Sequence, residues 1–189
     1  TFERLVLGQL YETTGVRENQ DILDHYIAVI EGKTGSLIAA AGEYGSLLAG
    51  ASEEVIQMLA TYGELVGVAF QLADDVIDIV SDGASSGKTQ GTDLREGVPT
   101  LPTILLNRAA EAGDESARQV RTLIEADLSS DDALAAAVSA LAAHPVTQEA
   151  WQIAYNWADR AIAAIAPLPD STAKAALESF AHAVVHREG

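Results

Sequence analysis

The sequence predicts an all-α protein. Alanine and leucine dominate it, aromatic residues make up only 5%, and long stretches carry no proline. Each of these features favours helix over strand. Its 189 residues, 48% of them apolar, suffice for the core of one domain or of a large part of one.

The elements follow in order. Phe2, Leu5, Val6, Gln9 and Leu10 recur at helical spacing until Glu12-Thr13-Thr14-Gly15 stops the helix. A second helix is expected from Asn19 or Asp21, with Ile22, Tyr26, Ile30, Leu37, Ile38, Ala41 and Tyr44 on its core stripe and glycines at 32, 35, 42, 45 and 50 breaking it. Each interior glycine costs about 1 kcal/mol relative to alanine, so a close approach must compensate, and packing against another helix is the simplest one. Ser52 with Glu53 and Glu54 is placed to cap a long helix reaching about Val80. The glycine-rich stretch 81–99 is too long for a simple connection, and such loops commonly carry function. Shorter helices are expected near 100–111, 114–127, 131–143, 147–165 and 171–187, separated by Gly113, Ser129-Ser130, Pro145 and Pro167-Leu168-Pro169. Asp131-Asp132 reads as the cap of one of them.

Charge and composition then exclude several functions. Acidic residues outnumber basic ones by 28 to 11, for a net charge of −17, and that field repels nucleic acid and anionic lipid. With no cysteine, metal chemistry must use oxygen or histidine ligands, and a reducing cytoplasmic setting is compatible. No run reaches the roughly 20 uninterrupted apolar residues of a membrane span. No integral membrane segment is therefore expected, only peripheral contact for product release. The chain opens without methionine inside a helical pattern, and reads as part of something longer.

The chemistry concentrates on the long helix. Gln71, Asp74, Asp75, Asp78 and Asp82 fall on one stripe, while Leu72, Ala73, Val76, Ile77, Ile79 and Val80 supply an apolar face. Such a stripe could be a solvated surface, but the helix is otherwise almost wholly apolar, so its carboxylates should line a cavity. Carboxylates without histidine or cysteine favour a hard cation such as Mg²⁺, which takes one or two of them together with water and phosphate oxygens. The implied ligand is a diphosphate. Two of the three lysines have unusual settings: Lys33 lies in the glycine-broken helix and Lys88 in the glycine-rich loop. Both suit a diphosphate's remaining charge.

Gly8-Gln9 with Glu12, Lys33-Thr34, the segment Gly67 to Asp78, Gly87-Lys88, and Gly91-Thr92-Asp93-Leu94-Arg95-Glu96-Gly97 followed by Thr100-Leu101-Pro102 occur in the order found in trans-isoprenyl diphosphate synthases. The chain resembles the C-terminal portion of that family, clearly over about residues 1–110. The resemblance implies an antiparallel helical bundle of the isoprenoid synthase type, with residues 1–189 forming the C-terminal part of one domain. It implies head-to-tail condensation of isopentenyl diphosphate with an allylic diphosphate, and a homodimer. By the same resemblance, Asp74, Asp75 and Asp78 are the second of two aspartate-rich metal segments. Lys33 and Lys88 grip the leaving diphosphate, Thr34 and Gln71 turn oxygens toward the allylic cation, and Phe70 packs beside the isopentenyl substrate.

Two departures qualify it. Val98 stands where many relatives carry lysine, and the chain contains neither a first aspartate-rich segment nor the arginine pair that follows one. The isolated chain is therefore expected to be inactive. A non-catalytic diphosphate-binding or regulatory subunit of a hetero-oligomeric synthase is the alternative. A terpene cyclase fits less well, because the chain has no downstream Asn/Ser/Glu metal motif.

Overall fold

A computed structural model describes residues 1–81 and 90–186. Among them are α1 (Phe2–Thr14), α2 (Ile22–Ile30), a π-helical turn (Glu31–Gly35), α3 (Ser36–Leu48), α4 (Glu53–Val80), α5 (Thr92–Glu96), α6 (Leu101–Glu111), α7 (Glu115–Ile124), α8 (Asp131–Ala143), α9 (Pro145–Ala164) and α10 (Thr172–Val185), with no strand. The all-α expectation holds. The chain gathers into two compact units, one formed by residues 1–71 with the C-terminal stretch from 153, the other by residues 72–152.

In the first unit, Asp21 caps α2, accepting from Leu23 N–H at 2.8 Å and Asp24 N–H at 3.0 Å. The single second helix expected from the sequence is instead α2, the π turn and α3 in succession. Glycines let backbones meet there. A methyl group on Gly32 would lie 2.8 Å from Gly8 Cα, and one on Gly67 would lie 2.8 Å from Gly35 Cα. On Gly63 it would sit 2.5 Å from the Ile38 carbonyl oxygen, and on Gly42 it would collide with the Leu59 carbonyl. Helix packing thus accounts for Gly32, Gly35 and Gly42, and for Gly8, Gly63 and Gly67 as well. It does not account for Gly45 and Gly50, which have no such neighbour within 4 Å.

Tyr62 is buried in this unit and donates its hydroxyl proton to the Leu177 carbonyl at 2.6 Å. Burial pushes its pKa up to about 12. The unfolded chain therefore loses this proton at lower pH than the folded one, so the stabilisation is complete below the ordinary value and is lost as pH rises from about 10 to about 12. Tyr62→Phe should remove that alkaline slope in urea melts and lower stability at neutral pH by about 1 kcal/mol.

In the second unit, Leu72, Val76 and Ile79 of α4, Leu101, Ile104 and Leu106 of α6, and Leu134 and Leu141 of α8 are at most 3% exposed. Three sequence expectations are revised here. The stretch 81–99 contains a helix, α5, entered through Gly91 (φ 73°) and left through Gly97 (φ 69°), both in the left-handed region that glycine tolerates. Pro145 opens α9, where its missing N–H costs nothing. Ser130, and not the Asp131-Asp132 pair, caps α8 by accepting from Ala133 N–H at 3.2 Å, while Asp131 pairs with Arg95 at 2.6 Å. Asp82, Gly83, Gly87 and Lys88 lie outside the described residues.

By length and mean hydropathy α4 alone among the described helices could cross a membrane. Its Val66, Val68, Ala69, Leu72, Ala73 and Val76 are at most 2% exposed, the burial of a core helix.

Candidate diphosphate and metal site

The π turn organises the first group of site residues. Its backbone is pressed against α1 where Gly8 meets Gly32, so Lys33 faces the part of α1 one turn beyond Gly8. Lys33 Nζ donates to Glu12 Oε2 at 2.6 Å, and Gln9 Nε2 donates to the same oxygen at 2.8 Å. The next residue, Thr34, donates its hydroxyl proton to Gln71 Oε1 on α4 at 3.3 Å. Phe70 remains 36% exposed although its neighbours Ala69 and Leu72 are fully buried. About two turns back on α4, Glu64 takes both arms of Arg4, at 2.6 and 3.1 Å. Glu31, at the start of the π turn, has its pKa raised, first by burial and then by the Glu64 charge, while Arg4 and Arg160 pull it back. Wide π turns recur at functional sites because they aim side chains that a regular helix would not.

The acidic stripe belongs to the second unit and does not behave uniformly. Asp74 is exposed, Asp78 is half-buried and Asp75 is 6% exposed. Asp75 Oδ2 accepts from the Leu101 N–H, the first amide of α6, at 3.3 Å. That amide belongs to the set a helix leaves unpaired at its start, so the carboxylate caps α6 from a distant part of the chain. Asp78 Oδ2 receives the Asp93 N–H of α5 at 3.4 Å, the Asp78 carbonyl receives Gly91 N–H at 3.0 Å, and Gln90 donates to the Ile79 carbonyl at 2.6 Å. The end of α4 is thereby stitched to the starts of α5 and α6.

Among the described residues, no three His, Asp or Glu side chains converge on a metal-sized centre. Asp74 and Asp78, four residues apart on one helix face, offer the one or two carboxylates that Mg²⁺ takes when phosphate oxygens and water complete its shell. The all-oxygen donor set fits a hard cation held jointly by protein and diphosphate. The structure pairs Thr34 with Gln71 and places Lys33 on Glu12. Lys88 is outside the described residues. The sequence placed Glu12 at the end of the first helix and in the motif with Gly8-Gln9, but gave it no partner in the site. The Gly8-Gln9-x-x-Glu12 spacing, one turn on a helix that glycine lets approach, was the available signal.

Comparison with known proteins places the chain in a family. Nonaprenyl diphosphate synthase of Mycobacterium tuberculosis is 41% identical over 189 residues, covering all of this chain and 56% of that protein. Octaprenyl diphosphate synthase of Escherichia coli is 36% identical, over 96% of this chain and 55% of that protein. A geranylgeranyl pyrophosphate synthase of Corynebacterium glutamicum, solved in complex with calcium and isoprenyl diphosphate, superposes with a TM-score of 0.87 at 39% identity, over all of this chain and 57% of that one. The chain spans about half the length of the relatives it matches. The polyprenyl synthetase family profile matches residues 1–141, and the chain belongs to that family.

Proposed function

We propose that this chain supplies the second aspartate-rich face of a head-to-tail prenyl transferase, which condenses isopentenyl diphosphate with an allylic diphosphate to a trans-polyprenyl diphosphate. The observation that supports this most directly is the Thr34–Gln71 pair, formed by a π turn against the same helix that carries the acidic stripe. Bound Mg²⁺ would act as a Lewis acid, neutralising the departing diphosphate before the allylic C–O bond breaks. Asp74 and Asp78 would hold it, while Asp75, expected from the resemblance as a third ligand, would act instead by tying the helix that carries them to the start of α6.

Lys33 and Lys88 would add fixed positive charge to the leaving group. Thr34 and Gln71 would present oxygen dipoles to the allylic cation, which favour it without the covalent capture that an amine or thiolate would bring. Phe70 would pack beside the isopentenyl substrate. A homodimer in the cytoplasm is the assembly and setting that go with this reading.

Calorimetry with inorganic diphosphate tests the metal face. Binding is expected with Mg²⁺ and not without it. The pair Asp74→Asn and Asp78→Asn should weaken it about tenfold or more, because charge-assisted contacts are worth about 1.5–3 kcal/mol each. An unchanged affinity would overturn the assignment. The 189-residue chain by itself should incorporate no radiolabelled isopentenyl diphosphate into allylic primers. Turnover by a sample whose mass shows only these residues would refute the view that it is half of a site.

A further inference from the structure

We infer that Glu12 is a positioning residue that holds Lys33 as a stand-in anion, and that an incoming diphosphate must displace it. The inference rests on the reading of Lys33 as a diphosphate group. Three features of the first unit carry it. The Gly8–Gly32 backbone contact fixes α1 against the π turn, so the separation of Glu12 and Lys33 is set by the crossing of two elements and not by a loop. Lys33 Nζ and Gln9 Nε2 converge on one oxygen, Glu12 Oε2, at 2.6 and 2.8 Å, so the carboxylate stays anchored by Gln9 when the lysine leaves. The two ion-pair partners keep 33% and 44% of their side-chain surface exposed, and an exposed pair of this kind is weak enough to exchange partners.

The neighbouring charges do not compete for the lysine. Glu64 is engaged by both arms of Arg4. Glu31 lies within the field of Arg4 and Arg160, which offset part of the cost of its burial. Glu12 is the carboxylate placed on Lys33, so before ligand arrives the lysine is neutralised and its orientation is kept. When diphosphate takes the lysine, Glu12 is left as a nearby like charge. It then favours return of the lysine and release of the product diphosphate.

Selective ¹³C labelling of the lysine ε-carbons tests both halves in the full chain, because the only lysines are Lys33, Lys88 and Lys174. The Lys33 signal is assigned by its loss in Lys33→Met. Without ligand, Glu12→Gln should move the Lys33 signal and leave that of Lys174 in place. An unmoved Lys33 signal would overturn the pairing itself. With inorganic diphosphate and Mg²⁺, Glu12→Gln should bind about two- to fivefold more tightly than the unaltered chain, the size of an exposed ion pair. The gain should vanish when Glu12→Gln is combined with Lys33→Met.

Equal gains with and without Lys33 would show only long-range repulsion and overturn the displacement. Weaker binding by Glu12→Gln would do the same. If diphosphate binds but leaves the Lys33 signal unmoved in both proteins, the reading of Lys33 as a diphosphate group falls, and the displacement with it, while the ligand-free pairing is judged by the first measurement alone.

Discussion

Gly63→Val is expected to lower the unfolding free energy by about 3 kcal/mol, at the upper end of what overpacking costs. A branched side chain there has nowhere to go: the first carbon alone would lie 2.5 Å from the Ile38 oxygen and 2.9 Å from Ala39 Cα. Those are backbone atoms, which cannot rotate aside, so α3 and α4 must separate along a line of contact that also includes Gly35–Gly67 and Gly42–Leu59. For a chain of this length the loss corresponds to a fall in Tm of about 6–12 °C by calorimetry. Gly45→Ala supplies the contrast. It lies within α3 but faces open space, so alanine's helical preference should act alone and raise stability by up to about 1 kcal/mol. If both substitutions destabilise equally, close helix packing is not the reason for the glycines.

Asp75→Ala should cost about 1.5–3 kcal/mol, the range for a hydrogen bond to a charged group. The substitution removes the carboxylate that receives the first amide of α6 and leaves that N–H without this acceptor in a buried setting. Asp75→Asn keeps a carbonyl oxygen at the same place and should lose about half as much. Hydrogen exchange gives a local readout: the Leu101 amide should exchange faster in the alanine variant than in the asparagine one. Asp74→Asn, altering an exposed neighbour, should change stability by less than about 0.5 kcal/mol while weakening diphosphate binding. Equal stability losses at both positions would contradict the separation between a capping and a ligand-facing aspartate.

These results mark what could be read from the sequence. The helices after residue 100 were legible because serine and aspartate caps, glycines and prolines punctuate them, with Pro145 misplaced only because proline serves a helix start as well as a helix end. The acidic stripe was legible from spacing, whereas the resemblance singled out Thr34 and Gln71 only as oxygens turned toward an allylic cation and did not foresee the hydrogen bond between them. Spacing cannot tell Asp74 from Asp75, however. One residue is a rotation of about 100° on a helix, and what Asp75 turns toward is an amide supplied by Leu101. The partner of Lys33 was hidden in the same way: Glu12 and Lys33 are 21 positions apart, and only the meeting of two glycines makes them neighbours. The break between α2 and α3 was missed because the apolar residues on either side of it, Ile30 and Leu37, are seven apart, two helical turns, and no proline lies between them.

That break is also a change of phase. A π turn accommodates one residue more than the regular helix would, so everything after it is turned by about 100° relative to an uninterrupted continuation. The surface that α2 buries through His25 and Val29 and the surface that α3 buries through Ala39 and Ser46 are therefore out of step with an uninterrupted helix. The extra residue works like a gear tooth inserted between two shafts: it lets one stretch of chain present Gly32 to α1 and Gly35 to α4, with Lys33 and Thr34 lying between those two contacts.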